Sequence, residues 1–376
     1  MAIVDKDIGH TIISSMNNKD SIVLAKKLIS CKTVNDQKEF DKCFKIIESF
    51  FDSPKFKIKK FIFNGKKSLI VSNKKTKQPE IMLYGHIDVV NAPDKMFKPK
   101  ISSGRLYGRG ASDMKAVLAA EMVLLKKLVL AGFSESIALL VVSDEEIGGF
   151  DGAKMIVEKE YYRPSVVVIP DGGDNWRMVD AEKGVYWLEI TARGKTAHGS
   201  RPWLGDNAGE RLMEKYFEIK KQFKLAKNEK DVLPTINLGK MEGGLSLNQV
   251  MGEAKICLDI RYPFPFIEKK IKEKIRKILG AGFEIRGLET ALPANNPSNQ
   301  YSKVLKEILT EQNNKQPEVI ISCGASDARF FRYKKIPVLV FKPVCGDQHG
   351  DKEWMDIKSL EGFYVVCEKL VKMIAG

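Results

Sequence analysis

Residues 81–89 read Ile-Met-Leu-Tyr-Gly-His-Ile-Asp-Val, an apolar run that leads into a histidine and an aspartate. A short apolar run of this kind predicts a strand buried on both faces. Two more runs follow at 137–142 and 166–169, and helical patterns at 113–131 and 152–160 lie between them. We therefore predict an α/β sheet with helices on both faces and with its functional residues at the carboxyl ends of the strands.

The pattern changes after about residue 181. From there to 290 the apolar spacing predicts the order β-α-β-β-α-β, which is the ferredoxin-like arrangement. The α/β pattern then resumes, with a closing helix from about Ile357. At 376 residues the chain is longer than one core usually supports. We expect a first domain in two parts, 1–180 and 291–376, with a second domain inserted at 181–290, and two helices within 10–52.

Composition excludes several classes of protein. Hydrophobic residues make up 44% of the chain and charged residues 29%, which is typical of a globular protein. No stretch reaches the roughly 18 apolar residues of a membrane-spanning helix, and the first twenty residues lack the apolar core of a signal peptide. Six cysteines are spread without a C-x-x-C pair, so we expect reduced thiols and no thiolate zinc site. We expect a cytoplasmic protein without a membrane partner.

The net charge of +14 raises the question of nucleic-acid binding. The segments Lys55–Lys60 and Lys269–Lys277 are locally basic. Their lysines alternate with Ile, Phe and Leu at structural period, which is typical of the solvated faces of strands and helices. No known nucleic-acid reading module is present. We therefore expect no nucleic-acid partner.

The first candidate site residues are His86, Asp88 and Asp113. His86 and Asp88 fall on one face of an extended segment, where the carboxylate can accept the second ring N–H of a ligating imidazole. The alternative for this pair is a turn at the end of a strand. Asp113 follows the glycine-rich stretch 104–110 and directly precedes a helical pattern. It could cap that helix, but the close backbone approach that glycine permits favours a metal ligand.

More acids and a second histidine follow the later strands. Glu145 and Glu146 emerge from an apolar run together with Asp144, and such like charges repel unless a metal or protons neutralise them. An adjacent pair can divide the work, with one carboxylate on a metal and the other moving protons. Asp171 ends another strand, and His349 lies on a late loop. Nitrogen and oxygen ligands without thiolates favour a hydrolytic zinc pair, with Co²⁺ or Mn²⁺ as substitutes.

Three motifs together resemble one known family. G-H-x-D at Gly85–Asp88, G-R-G-x-x-D-M-K at Gly108–Lys115 and D-E-E at Asp144–Glu146 are similar to those of the aminoacylase, succinyl-diaminopimelate desuccinylase, carboxypeptidase G and carnosine dipeptidase family of two-zinc metallopeptidases of clan MH. The resemblance spans essentially the whole chain. It implies a phosphorylase/hydrolase-like three-layer α/β catalytic domain with an inserted lid that also serves dimerisation, and two Zn²⁺ per chain.

The resemblance also implies a role for each site residue. Asp113 matches the ligand that bridges the two metals, and Glu145 matches the general base that takes a proton from a metal-bridging water and passes it to the departing amine. The remaining ligands divide into two pairs, one for each metal: His86 with Asp171, and Glu146 with His349. Asp88 matches the carboxylate beside the first histidine.

The inserted domain carries further matches. His198, in Lys195-Thr-Ala-His-Gly-Ser-Arg-Pro, resembles the histidine that reaches the partner subunit's site in a homodimer and stabilises the developing oxyanion. Asn248 and Arg261 match substrate contacts, and a guanidinium suits a carboxylate held bidentately. Gly324 and Ser326 belong to a turn that cradles the substrate in the family. That turn usually has threonine where this chain has alanine at position 325.

The function implied is hydrolysis of an amide or peptide bond in a small substrate with a free carboxylate, either a dipeptide or an N-acyl amino acid. Asp171 stands where dipeptidases of the family tend to carry aspartate and deacylases glutamate, which favours a dipeptidase. The alternative is an N-succinyl-diaminopimelate desuccinylase or an acetylornithine deacetylase-like deacylase. A metal-binding protein without activity is a further alternative, but competent side chains fill all five ligand positions and the base position.

Overall fold

The structure, a computed structural model, describes residues 18–376 except 229, 265 and 267. The part of the predicted amino-terminal helix pair at 10–17 lies outside the described residues. The chain divides into two compact units. The first contains residues 18–180, 296–320 and 326–376, and the second contains residues 181–295 and 321–325. The predicted mixed α/β architecture is confirmed.

The elements are numbered in chain order. The helices are α1 (Asn18–Ile29), α2 (Gln37–Phe50), α3 (Lys115–Leu130), α4 (Ala153–Glu158), α5 (Ala208–Lys221), α6 (Glu268–Leu279), α7 (Tyr301–Asn313), α8 (Ala328–Tyr333) and α9 (Ile357–Ala375). The strands are β1 (Lys57–Phe63), β2 (Lys66–Ser72), β3 (Ile81–His86), β4 (Lys100–Ser102), β5 (Arg105–Tyr107), β6 (Ile137–Val142), β7 (Val166–Ile169), β8 (Met178–Glu182), β9 (Gly184–Arg193), β10 (Thr235–Gly243), β11 (Glu253–Tyr262), β12 (Phe283–Ala291), β13 (Ala294–Asn295), β14 (Val319–Ser322), β15 (Val338–Val340), β16 (Cys345–Gly346) and β17 (Trp354–Asp356).

The main sheet of the first unit has the order β1-β2-β6-β3-β7-β15. β3 runs parallel to β6 and β7, and β15 runs parallel to β7, while β1 and β2 complete one side antiparallel. β3, β6 and β7 are buried along their whole length, as their continuous apolar runs predict. Their carboxyl ends therefore lie along one edge, and His86 pairs with Val142 there.

The helix α3 packs against this sheet. Nearly all its residues are buried, which is typical of a helix that is apolar all round and packed on several sides. It contacts α1, α9 and the strands β3 and β6. The helix begins two residues after Asp113, so a rigid buried element holds that residue in place.

A small sheet with the order β16-β17-β5-β4 was not predicted. Its strands are two or three residues long, which is too short for a periodic pattern to appear in the sequence. β17 pairs antiparallel with β5, so the loop that carries His349 is tied to the segment that leads to Asp113. This sheet accounts for the proximity of residues far apart in the chain.

The second unit has an antiparallel sheet with the order β10-β11-β9-β12. Its elements follow the chain as β9-α5-β10-β11-α6-β12, and fully buried residues alternate with more accessible ones along β11. That alternation is typical of a sheet with one face on a core. The helix predicted for 207–227 is shorter than expected, because α5 ends at Lys221.

Two further expectations from composition concern cysteines and membranes. The six cysteines form no disulfide, and four of them are buried. Among the described residues, no helix combines the length and the apolarity needed to cross a membrane.

Candidate metal centre

His86 ends β3 and is fully buried. Its Nδ1 lies 3.0 Å from the backbone carbonyl of Asp88, and 3.4 Å from an oxygen of the Asp88 carboxylate. The carbonyl is therefore the nearer acceptor, whereas we expected the carboxylate. A proton on Nδ1 leaves the Nε2 lone pair pointing to the other side of the ring, where a metal can bind. The Asp88 carboxylate instead accepts the backbone N–H of Glu146 at 2.8 Å and so orders the loop after β6.

Asp113 lies between the two imidazoles. Its Oδ1 is 3.1 Å from Nε2 of His86, and its Oδ2 is 3.2 Å from Nε2 of His349. One carboxylate thus presents a separate oxygen to each histidine. Gln348 donates its amide to Oδ2 at 2.5 Å. A carboxylate placed in this way could contact two different ions, one through each oxygen.

The other predicted ligands complete two groups. The ligand atoms of His86, Glu145 and Asp171 lie within 4.8 Å of one another, and so do those of Asp113, Glu146 and His349. His349 Nε2 is also 3.2 Å from Glu146 Oε1. Six carboxylates and imidazoles therefore form these two groups. They come from β3, from the segment before α3, from the loops after β6 and β7, and from the loop before β17.

The third acid of the D-E-E motif does not join them. Asp144 Oδ2 accepts the backbone N–H groups of Asp151 and Gly152 at 2.8 and 3.0 Å. Burial raises the pKa of this carboxyl to about 6. Asp144 therefore stabilises the loop after β6, whereas the next two residues, Glu145 and Glu146, belong to the ligand groups.

The electrostatics of the cluster show an excess of negative charge. Burial, together with the Asp113 carboxylate, raises the pKa of Asp171 to about 7. Hydrogen bonds to Asp113 and Glu146 raise the pKa of His349 to about 10. The raised pKa values of Asp171 and His349 both indicate that the cluster contains too little positive charge. A divalent cation would supply it, and nitrogen and oxygen donors suit zinc.

Residues 82–373 match peptidase family M20/M25/M40. The chain belongs to this family. The resemblance drawn from the three motifs is thereby confirmed, and so is the class of enzyme: the protein is a metal-dependent hydrolase of amide or peptide C–N bonds. The two ligand groups described above are where this M20 hydrolase can hold its metal.

Named relatives of this M20 hydrolase include deacylases. Aminoacylase-1 of Sus scrofa is 28% identical over 294 residues, which cover 70% of this chain and 71% of that protein. Succinyl-diaminopimelate desuccinylase of Pelagibacter ubique is 28% identical over 345 residues, covering 84% and 89%. The M20 metallo-carboxypeptidase Sso-CP2 of Sulfolobus solfataricus is 19% identical with a TM-score of 0.79 and covers 94% of this chain and 99% of that one, so it shares the fold.

Several residues that support the centre of this M20 hydrolase escaped the sequence analysis. Glu353 is fully buried and binds the buried Arg109 at 2.5 Å. Arg109 also donates to the carbonyl oxygens of His349 and Gly350 at 3.0 and 3.2 Å. The G-R-G motif and the acid four residues after His349 were visible in the sequence. Nothing in the sequence indicated that they form a pair.

Lys342 is a second unexpected residue. It is fully buried, and its Nζ lies 3.8 Å from Asp171 Oδ1 and 3.7 Å from Asp174 Oδ1. Burial lowers the pKa of this lysine, but the carboxylates of Asp113, Asp171 and Asp174 outweigh that effect and hold the pKa above its ordinary value. A lysine among apolar neighbours is usually assigned to the surface, which is why the sequence did not reveal it.

The predicted residues of the inserted segment lie in the second unit, while the ligand cluster lies in the first. His198 is exposed, and its Nδ1 is 2.8 Å from the hydroxyl of Ser200. Asn248 is exposed and contacts Ser246 at 2.6 Å. Arg261 donates to both oxygens of Asp259, at 2.8 and 3.1 Å.

The two residues of the predicted substrate turn differ in their surroundings. Gly324 is exposed, and its backbone N–H donates to Ser322 at 3.1 Å. Ser326 is buried, and its hydroxyl accepts the N–H of Ala328 at 3.3 Å at the start of α8. The Ser326 hydroxyl therefore has a structural partner, whereas Gly324 leaves its backbone accessible.

Proposed function

We propose that this M20 hydrolase uses two zinc ions to cleave an amide bond in a dipeptide or an N-acyl amino acid. The observation that carries the proposal is the position of Asp113, whose two oxygens each face a different imidazole. Two ions that share one carboxylate are close enough to act on the same bond. Histidine and carboxylate ligands without cysteine favour zinc, and Co²⁺ or Mn²⁺ would fit the same donors.

We assign His86 and Asp171 to one ion, Glu146 and His349 to the other, and Asp113 to both. When bound, the ions would polarise the carbonyl of the scissile bond and lower the pKa of a water molecule. Glu145 lies with His86 and Asp171 in the cluster. Burial and the Asp171 charge raise its pKa well above the usual range for a glutamate. A glutamate so tuned can take a proton from the attacking water and give it to the leaving amine.

We assign the second unit, including its β-α-β-β-α-β segment, to a ferredoxin-like lid that forms a homodimer. His198 would act in the partner subunit's site, where an imidazole N–H can stabilise the oxyanion of the tetrahedral intermediate. Its exposure supports this role, because an exposed side chain is available to a second chain. The backbone N–H of Ser200 donates to Nδ1 at 3.2 Å, and this contact orients the ring.

Arg261 is our candidate for the residue that binds the substrate carboxylate. Asn248, Gly324 and Ser326 are our candidates for further substrate contacts. Asp259 holds the Arg261 guanidinium through Nε and Nη2. A guanidinium has five N–H donors, so a substrate carboxylate can bind the remaining ones or displace Asp259. Asp259 would also keep the side chain extended in one direction, which reduces the entropy lost on binding.

Two observations favour different leaving groups. Asp171 at its ligand position favours a dipeptidase, whereas the names of the relatives favour removal of an acyl group. An N-succinyl-diaminopimelate desuccinylase or an acetylornithine deacetylase-like deacylase is therefore the alternative. Both readings need a free carboxylate on the substrate.

A substrate panel tests the proposal. Zinc-loaded protein is assayed with dipeptides, N-acetyl and N-succinyl amino acids, and the carboxyl-amidated form of each, with Glu145→Gln protein as the matched control. We expect hydrolysis of free acids by the wild type alone. Hydrolysis of dipeptides supports the dipeptidase, and hydrolysis of N-acyl compounds alone supports the deacylase. Equal rates on amidated substrates would remove Arg261 from its role. Metal binding without turnover of any compound would favour a protein that keeps the fold without the chemistry.

A further inference from the structure

Lys342 places a buried positive charge next to one candidate metal position. Its ammonium is 3.8 Å from Asp171, which is an ion-pair distance. Among the residues that the structure describes, no acceptor lies within hydrogen-bond distance of its Nζ. We propose that Lys342 makes the two metal positions unequal, so that the ion held by His86 and Asp171 binds more weakly than the ion held by Glu146 and His349. This inference rests on the two-metal function proposed above.

The position of Lys342 is determined by the fold. The residue lies two positions after the end of β15, and its backbone N–H donates to the Gly173 carbonyl at 3.3 Å. Its own carbonyl accepts the backbone N–H of Trp176 at 2.9 Å. Two hydrogen bonds therefore join this residue to the loop that carries Asp171 and Asp174. The ammonium cannot leave the site without disrupting that loop, because the side chain is fully buried.

The direction of the effect follows from Coulomb's law. An ammonium beside Asp171 stabilises the carboxylate before a metal arrives and repels the metal after it binds. Both effects lower the affinity of the position that uses Asp171. Solvent cannot screen the repulsion, since the lysine is excluded from water. Asp174 moderates the effect, because it shares the ammonium at 3.7 Å.

In the part of the chain that the structure describes, no lysine lies within ion-pair distance of Glu146, whose partner is His349. Arg109 contacts the backbone of the His349 loop, and its guanidinium is paired with Glu353 at 2.5 Å. Its remaining contacts there are to backbone carbonyl oxygens. His349 and Glu146 therefore offer their ligand atoms without an unbalanced positive charge nearby. The asymmetry between the two positions is thus a property of Lys342 and its segment.

The experiment is a titration of metal-free protein with Zn²⁺ at pH 8 against a chromophoric chelator, which reports affinity independently of activity. For the wild type we expect two binding steps separated by about tenfold or more. His86→Ala should abolish the weaker step, and His349→Ala the tighter one. Lys342→Met should tighten the weaker step by about tenfold or more, and Lys342→Arg, which keeps the charge, should retain the wild-type separation.

Asp174→Asn provides a test in the opposite direction if Lys342→Met does not fold. Loss of Asp174 leaves the ammonium to Asp171 and to Asp113, which both ions would share, and should weaken the lower-affinity step further. In a Lys342→Met background the same change should have little effect, which isolates the coupling between the two residues. Circular dichroism and thermal unfolding of each variant verify folding.

Several results would overturn the inference. Two equal steps in the wild type, a weaker step unaffected by both Lys342→Met and Asp174→Asn, or loss of the weaker step in His349→Ala would each do so while leaving the two-metal function intact. A folded protein that binds no Zn²⁺ would instead overturn the proposed function and this inference with it.

Discussion

Oε1 of Glu353 accepts the backbone N–H of Asp113 at 3.0 Å. The same oxygen accepts the N–H groups of Gly110 and Ser112 at 3.0 and 2.8 Å, while Oε2 binds Arg109. A single buried acid near the carboxyl end thus shapes the turn that presents the Asp113 carboxylate. Through these hydrogen bonds Glu353 holds the backbone of the turn and contacts none of the ligand side chains.

Glu353→Gln should destabilise the fold and loosen the metal. The amide keeps one acceptor oxygen but leaves the Arg109 charge buried without a counter-charge, which costs about 3 kcal/mol or more. We also expect metal affinity to fall by about 10 to 100-fold, as is usual when a ligand loses its support. Urea unfolding and zinc titration measure the two effects. Glu311→Gln, which removes an exposed partner of Lys369, is the matched control and should change stability by less than about 0.5 kcal/mol.

Replacement of either histidine should remove one metal. His86 and His349 face different oxygens of Asp113, so His86→Ala and His349→Ala should each lower the zinc content by about one ion per chain. Elemental analysis after growth with zinc gives the stoichiometry. Asp88→Ala should keep more metal than either, because Asp88 orders the loop at Glu146 and offers a backbone carbonyl to His86. Wild-type protein without metal would refute the ligand assignment.

The adjacent glutamates should separate chemistry from metal binding. Glu145→Gln should retain both ions yet lose nearly all turnover, since an amide cannot carry the proton. Glu146→Gln should lose metal, because Glu146 lies with His349 and Asp113 in one ligand group. Zinc content and kcat are measured on the same preparations. Substantial turnover by the first variant would exclude Glu145 as the base.

A mixed dimer tests whether His198 acts across subunits. His198→Ala and Glu145→Gln chains, each inactive alone, are combined under conditions that exchange subunits. One site of each heterodimer would then have wild-type Glu145 in its own chain and wild-type His198 from the partner subunit, so up to half of the sites should regain activity. Verified heterodimers that stay inactive would contradict the role in trans. A monomer in solution would contradict it as well.

Stability should depend on pH through Glu121, a fully buried acid on α3. Burial raises its pKa well above the usual range, and the backbone of Tyr84 opposes that shift only in part. The pKa of Glu121 is higher in the folded state than in the unfolded state. Its contribution to the stability of the fold is therefore fully present at low pH and is lost as pH rises through the folded pKa. Glu121→Gln should therefore be more stable than wild type by about 1 to 3 kcal/mol at pH 8, with little difference near pH 4. Urea unfolding across this range measures it, and a constant difference at all pH values would contradict it.

The sequence predicted the parts of the site that follow regular elements. His86, Glu145 and Asp171 each lie within three residues of the end of an apolar run, and parallel strands bring their carboxyl ends together, so their proximity could be expected. The position of Asp144 could not, because an acid beside two ligands in the sequence can still turn toward the backbone of its own loop.

Other features depend on contacts between distant segments. The sheet that joins β17 to β5 has strands too short to show a period, yet it brings His349 to Asp113. Lys342 and Glu353 are charged residues, and charge alone predicts exposure. Both are buried because oppositely charged groups from other parts of the chain meet them. Sequence patterns are local, and such pairings are not.

The order in which the first unit is assembled has a consequence for synthesis on the ribosome. β15 joins the sheet beside β7 only after the second unit has been translated, and His349 and Glu353 belong to the last 28 residues of the 376. A nascent chain therefore carries His86 and Asp113 for more than half of its translation, and Asp171 for nearly half, before His349 is added. The group of Asp113, Glu146 and His349 is therefore complete only when the polypeptide is nearly finished. A chain that ends before residue 349 has the two acids of this group without its imidazole.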